Sequence, residues 1–297
     1  MYLKSSPKNV RTTNHIVIFV LAISIVSCSF VKTAYNNAPE AMHWWLDDYF
    51  DFTESQNKKL KPALHALHDW HRQTQLPLYV EMLKKIQSHL SKEEIESNTV
   101  CETMQPLQNL MHNIQLETSS TIIEMAPLLS DKQLSYFQKM LQKRTAKWKS
   151  EWLQETQEDR NDARLEKTID YAETFYGSLN KTQKNMLKQK LLASNYTPEI
   201  QYTEILRRNE DAMQIVTSLK RENLDLEQKQ TLVKQGFERL KNSPDLVYQN
   251  YANQVKQSSC EIIAELHITT DLKQKQHAKA WLESFITAFE WLALNKP

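Results

Sequence analysis

The sequence predicts an all-α fold, an elongated multi-helix bundle, and three observations carry that prediction. Only Gly177 and Gly236 are glycines among 297 residues, and Asn-Gly never occurs, so the tight turns that hairpins need are missing. Apolar residues recur at spacings of three and four, as in Leu134, Phe137, Leu141, Trp148 and Trp152, or Ile169, Ala172, Tyr176 and Leu179. That is the period of a helix face. A five-residue helix start also repeats along the chain: an apolar residue, a capping residue, two more, then Gln.

The first element is a leader. Lys4, Lys8 and Arg11 form a basic stretch without an acid, and an apolar run follows from Ile16 to Val26, broken only by Ser24. Such a run has the length of a signal-peptide core and is too short to span a bilayer as a stable helix. It ends in Ile25-Val26-Ser27-Cys28, a lipobox, so residues 1–27 are expected to be cleaved and Cys28 to become the acylated N-terminus. Ser29 is not Asp, which favours an outer-membrane anchor with the domain facing the periplasm. Residues 28–42 are expected to form a tether. From Ser29 to Met42 it reaches at most about 45–50 Å when extended. The helical domain then occupies 43–297.

Within that domain, helices are expected over 41–50, 54–73, 77–90, 92–120, 131–177, 181–193, 198–221, 227–241, 244–267 and 271–294. Pro62 and Pro106 fall inside two of them and should kink or divide them. The segment 131–177 would span about 70 Å if unbroken, at ~1.5 Å per residue. Its centre, Gln154 to Asp162, holds no apolar residue, so it either bridges solvent or contains a break, where two subdomains would meet near 155–162.

The helix starts are capping boxes, in which a Thr, Ser or Asn oxygen accepts from the N3 amide and the N3 Gln reaches back. They read Phe52-Thr53-Glu54-Ser55-Gln56 and Leu129-Ser130-Asp131-Lys132-Gln133, with looser copies at Leu179-Asn180-Lys181-Thr182-Gln183 and Leu226-Glu227-Gln228-Lys229-Gln230. Their uneven spacing points to repeated helix-turn units and not to a strict solenoid.

Removing residues 1–27 lowers Lys plus Arg from 37 to 34 against 36 Asp plus Glu, a net charge near −2. A nucleic-acid binder would carry a basic excess, so no nucleic-acid partner is expected. Cys101 and Cys260 remain. In an oxidising compartment they either pair as a disulfide or stand as small core thiols, and sequence alone leaves both open. The chain has no G-x-S-x-G, no phosphate-binding or dinucleotide loop, no H-E-x-x-H and no C-x-x-C, and no cofactor is implied.

Three constellations invite chemistry. His65, His68 and His71 follow one another at one-turn spacing, and two of them with Asp47 or Asp48 would make a metal site, although the outer pair diverge round the helix. Asp47, Asp48 and Asp51 lie beside Trp44, Trp45, Tyr49 and Phe50, as acids lining an aromatic cleft would, or as acids at a helix end meeting Arg72. The candidate binding residues are therefore Trp45, Asp47, Asp48, Tyr49, Trp70, His71 and Arg72. Lys139, Lys143 and Lys147 form a basic stripe that suits anionic headgroups or is a solvated face.

Tyr35-Asn36-Asn37, Trp45-Leu46-Asp47-Asp48-Tyr49, Phe52-Thr53-x-x-Gln56, Trp70-His71-Arg72 and Leu76-Pro77-x-Tyr79 stand in that order. This order resembles a family of uncharacterised Gram-negative bacterial lipoproteins, most strongly over residues 28–90. The resemblance implies an envelope location and a helical fold, and supplies no catalytic residue. The helix starts are also similar to the Leu-Thr-x-x-Gln motifs of small, all-helical periplasmic stress chaperones, over five residues each. The leading expectation is a membrane-anchored, non-enzymatic binding, organising or chaperone-like module. Membrane lipid would be its partner through Cys28, and another envelope protein or an anionic envelope component its partner through the domain. The alternatives are an envelope hydrolase using acids in an aromatic cleft, and a metal-binding or sensing protein using the His65/His68/His71 helix.

Overall fold

The computed structural model describes residues 30–153 and 156–295, so the leader and Cys28 lie outside the described residues. Among the described residues there is no strand, and no helix is long and apolar enough to cross a membrane. Residues 30–36 are already helical and run into α1 (Ala38–Phe50), so much of the stretch expected to serve as a tether is folded. The order continues with α2 (Glu54–Trp70), a π-helical turn (His71–Gln75), α3 (Leu76–His89), α4 (Ser97–Glu117), α5 (Ser119–Met125) and α6 (Asp131–Trp152). It ends with α7 (Gln157–Tyr176), α8 (Lys181–Ala193), α9 (Pro198–Arg221), α10 (Leu226–Lys241), α11 (Leu246–Ile268) and α12 (Leu272–Leu294).

The expected helix over 131–177 ends at Trp152 and restarts at Gln157, inside the polar centre. The Thr156 hydroxyl caps the new start by accepting from the Asp159 amide. Neither Pro62 nor Pro106 ends its helix, so the prolines do not divide α2 or α4. The real interruption is the π-turn just ahead of Pro77. Pro77 lacks an amide donor and its ring crowds the carbonyl four residues back. The wider turn relieves this, and the Leu76 amide reaches back to the His71 carbonyl.

Five of the helix starts carry complete capping boxes: Thr53/Gln56, Ser130/Gln133, Asn180/Gln183, Asp225/Gln228 and Asp271/Gln274. The looser copy expected at 226–230 is therefore shifted by two residues, because Asp225 offers a carboxylate where Glu227 would have had to reach further. The start at Asp271 has no counterpart among the expected boxes. Four of the five glutamines are buried and meet in pairs. Gln56 Nε2 donates to Gln133 Oε1 and to the Leu128 carbonyl, while Gln133 Nε2 donates to Gln56 Oε1 and to the Asp51 carbonyl. Gln183 and Gln274 repeat the arrangement, reaching the Thr269 and Ser178 carbonyls. Each amide also caps its own helix, so every donor and acceptor of the buried side chain is used.

The largest core joins α3, α7, α8, α11 and α12, with Leu187, Ala278 and Leu282 at its centre. Each such Leu contributes roughly 1.5–3 kcal/mol on burial. A second cluster joins α2 and α5 against α1, and a third joins α9 and α10 beneath Ala126. At Gly236 an added Cβ would strike the Ile215 side chain, so glycine lets α9 and α10 approach closely. Gly177 ends α7 at φ +78°, a left-handed conformation that other residues rarely adopt. A disulfide joins Cys101 of α4 to Cys260 of α11, with the Cα atoms 5.5 Å apart.

Candidate functional site

The residues singled out from the sequence gather round Tyr35 and around two helix ends. Tyr35 donates its hydroxyl to His71 Nδ1 at 2.8 Å, and His68 Nε2 donates to the Tyr35 carbonyl at 3.0 Å. Burial, reinforced by neighbouring His68, pushes His71 down to about 4, which keeps its Nδ1 an acceptor at neutral pH. His65 instead faces Glu40 at the surface. Among the described residues no group of three or more His, Cys, Asp or Glu side chains is placed to hold a metal ion. The three histidines have separate structural partners.

Arg72 is 1% exposed. Its Nη1 donates to the Leu292 and Asn295 carbonyls, the open end of α12, and its Nη2 donates to Asn36 Oδ1. A guanidinium with several fixed donors suits this joint, since a helix C-terminus carries orphan carbonyls and partial negative charge. The Tyr35-Asn36 and Trp70-His71-Arg72 motifs thus bind the first and last described helices together.

Asp47 Oδ1 accepts from the Phe52 amide, and Asp51 ends α1 at φ 50° with its carbonyl taken by Gln133. Asp48 is exposed. Asp47 and Asp51 thus shape the α1–α2 turn. Trp45 and Tyr49 pack edge to face with Arg144 over the Tyr49 ring at 4.4 Å, while Trp44 and Trp45 are 71% and 52% exposed. Trp70 is half-buried, and Lys139, Lys143 and Lys147 are exposed.

The site that the sequence did not disclose is a cavity of about 720 Å³ beside the largest core. Its walls come from α3, α4, α7, α8, α11 and α12, with Ile86, Val100, Ala172, Leu187, Ile262 and Trp281 among the lining. Apolar side chains dominate, and the mouth is edged by Tyr171, 75% exposed, with Met104 and Ile263. Volume and lining match the general character of pockets that take small apolar ligands. The Cys101–Cys260 disulfide lies in two of these walls, between Val100 and Thr103 on α4 and between Ser259 and Ile262 on α11.

The polar members are few. Tyr176 donates its hydroxyl to His267 Nδ1, and His267 Nε2 donates to the Lys92 carbonyl, so both imidazole nitrogens are used. His89 Nδ1 is buried without a partner, and burial together with Lys92 and Lys85 lowers its affinity for a proton. Arg164 Nη1 donates to the Leu191 carbonyl and the Ser194 hydroxyl, and burial lowers its pKa. Lys167 sits 4.3 Å over the Trp152 ring. Among the described residues no Asp, Glu or Cys lines the cavity, so its described walls offer neither the carboxylate nor the thiolate that most hydrolytic constellations use. The arrangement is suited to solvating apolar matter.

No curated protein and no solved structure matches this chain. A family model does, over residues 48–240, which takes in α2 to α9, part of α1 and nearly all of α10, and therefore the first Gln–Gln pair and the walls α3, α4, α7 and α8. The chain belongs to that family, a family of unknown function, DUF6279.

Proposed function

We propose that this protein is a lipid-anchored envelope protein whose helical domain is a non-enzymatic binding module, and that the cavity among α3, α4, α7, α8, α11 and α12 is where it takes its guest. The observation that carries this reading is an apolar chamber of about 720 Å³ with no carboxylate among the described residues of its lining. A void with such walls is unfavourable when empty and gains when filled by matter of its own polarity. The lipobox ending at Cys28 supports the membrane address, and acylation there would hold the domain beside its membrane. The first described residues, from Phe30 on, are helical and are fastened by Tyr35 and Asn36, so the leash between anchor and domain would be short.

Two measurements test the reading. Incorporation of labelled fatty acid, lost in Cys28→Ala, supports the anchor, and unchanged labelling of that variant removes it. For the cavity, a neutral naphthylamine dye that brightens in apolar surroundings is titrated into the full chain. Bright, saturable binding that is lost in Ala172→Trp and Met104→Trp, with circular dichroism unchanged, supports the site. Equal binding by both variants places the dye elsewhere and overturns it.

A further inference from the structure

We propose that the guest is a single-chain anionic amphiphile, a long-chain fatty acid, with its alkyl chain in the cavity and its carboxylate at Arg164 and Lys167. The inference rests on the apolar-guest reading above and adds the sign and form of the ligand.

Charge complementarity carries it. Among the described residues of the lining, those that can bear a positive charge are His89, Arg164, Lys167 and His267, and none bears a negative one at neutral pH. Several cations elsewhere are matched to acids, as in Arg160 with Glu199, Arg239 with Asp211 and Lys190 with Glu265. Arg164 and Lys167 have no carboxylate within ion-pair distance among the described residues. Arg164 is held by a carbonyl, a hydroxyl and the Tyr196 ring, and Lys167 by the Trp152 ring. They stand one helical turn apart on α7, both in the cavity wall. A cation against an apolar wall is poorly solvated, and an incoming carboxylate supplies the missing charge and acceptors together. Thr168, on the same turn, donates its hydroxyl to the Arg164 carbonyl.

The shape agrees. Beyond these cations the lining is mostly aliphatic and aromatic, with Thr99, Thr103, Ser259, His89 and His267 interspersed, and suits a methylene chain worth about 0.8 kcal/mol for each buried CH₂. The cavity is also set back from the first described residues. Lys32 lies over Trp291, whereas the lining on α12 reaches only to Leu282, nine residues earlier, about 14 Å at ~1.5 Å per residue.

The test uses the full chain in vesicles and two photoreactive probes, palmitate and hexadecanol, each with a diazirine at the chain end. The expected result is crosslinking of palmitate to lining residues of α4, α7 and α11, competed by free palmitate. That yield should fall at least about fivefold in Lys167→Glu, with Lys167→Gln intermediate and hexadecanol unchanged in both. Equal labelling by both probes, insensitive to Lys167, would overturn the anionic ligand while leaving an apolar cavity in place. Labelling confined to residues outside the lining with either probe would remove both proposals.

Discussion

Gln183 and Gln274, 91 residues apart in the chain, lie side by side in the core with each side-chain amide donating to the other's oxygen. Gln56 and Gln133 make the same exchange, so two pairs of helix starts are fastened by one device used twice. Each member reaches the carbonyl two residues ahead of its partner's cap, which locks the entry angle of both helices. Gln228 completes its own box but is exposed, with no buried glutamine facing it.

The pairs should therefore be energetically coupled. Gln183→Ala leaves buried donors and acceptors of Gln274 without a partner and should cost about 2–3 kcal/mol. The double variant with Gln274→Ala should cost less than the sum of the singles by about 1 kcal/mol or more, since the second loss strands nothing further. Gln228→Ala should cost only about 0.5–1 kcal/mol. Urea denaturation of these variants beside the unaltered chain measures this, and strict additivity would show that the pair contributes only as two separate caps.

Arg72 should resist conservative replacement. In Arg72→Lys a single ammonium could not reach Asn36 and the α12 carbonyls together, and the variant should lose about 2 kcal/mol or more. Hydrogen exchange should accelerate at the end of α12 and in residues 30–36, because those are the segments the guanidinium joins. Exchange unchanged in both segments would contradict that role.

Stability should fall on mild acidification through His71. Its folded pKa of about 4 lies below the ordinary 6.5, so the unfolded chain binds the proton more readily. The contribution is fully present above pH 6.5 and is lost as pH falls toward 4, by no more than about 2 kcal/mol once solvent screening is allowed for. Glu204 extends the decline below that window. Burial opposes its charge, but hydrogen bonds from Arg207, Arg208 and Ser243 hold it at about 2, so its contribution is present above about 4.5 and lost toward 2. Denaturant titrations at stepped pH should show a flatter profile between 6.5 and 4 for His71→Gln than for the unaltered chain.

The Cys101–Cys260 disulfide spans two cavity walls. Reduction should cost about 2–5 kcal/mol and should also weaken dye binding, because α4 and α11 can then part. Paired measurement of melting temperature and dye affinity with and without reductant checks both, and unaltered affinity would show that the walls are held by packing alone.

Much of the fold is legible from the residues. Helix positions follow from the three-four spacing, and the caps at Thr53, Ser130 and Asn180 from their side-chain chemistry. The box at Asp271 is hidden because Thr270, not an aliphatic residue, precedes it, and the one at Asp225 because Gln228 and Gln230 offer competing registers. That the glutamines meet in pairs is not legible, since partners lie 77 and 91 residues apart. His68, His71 and Arg72 stand out in sequence, but their roles depend on Tyr35 and on the far end of α12. The cavity gives no signal. Ala172 and Trp281 read as core positions, and only the assembled helices leave space between them. Arg164 and Lys167 fall off the Leu165, Ile169 and Ala172 stripe of α7 and read as a solvated flank, and their lack of acidic partners among the described residues is a property of the folded chain.

The most direct measurement is a crystal structure of the protein with a terminally brominated palmitate, read through bromine's anomalous signal. The account predicts a bromine peak enclosed by α4, α7 and α11 near Leu187 and Ile262, with the carboxylate toward Arg164 and Lys167, and no such peak in Ala172→Trp. A chamber closed by collapsed side chains, with bromine only on the outer surface, would contradict it.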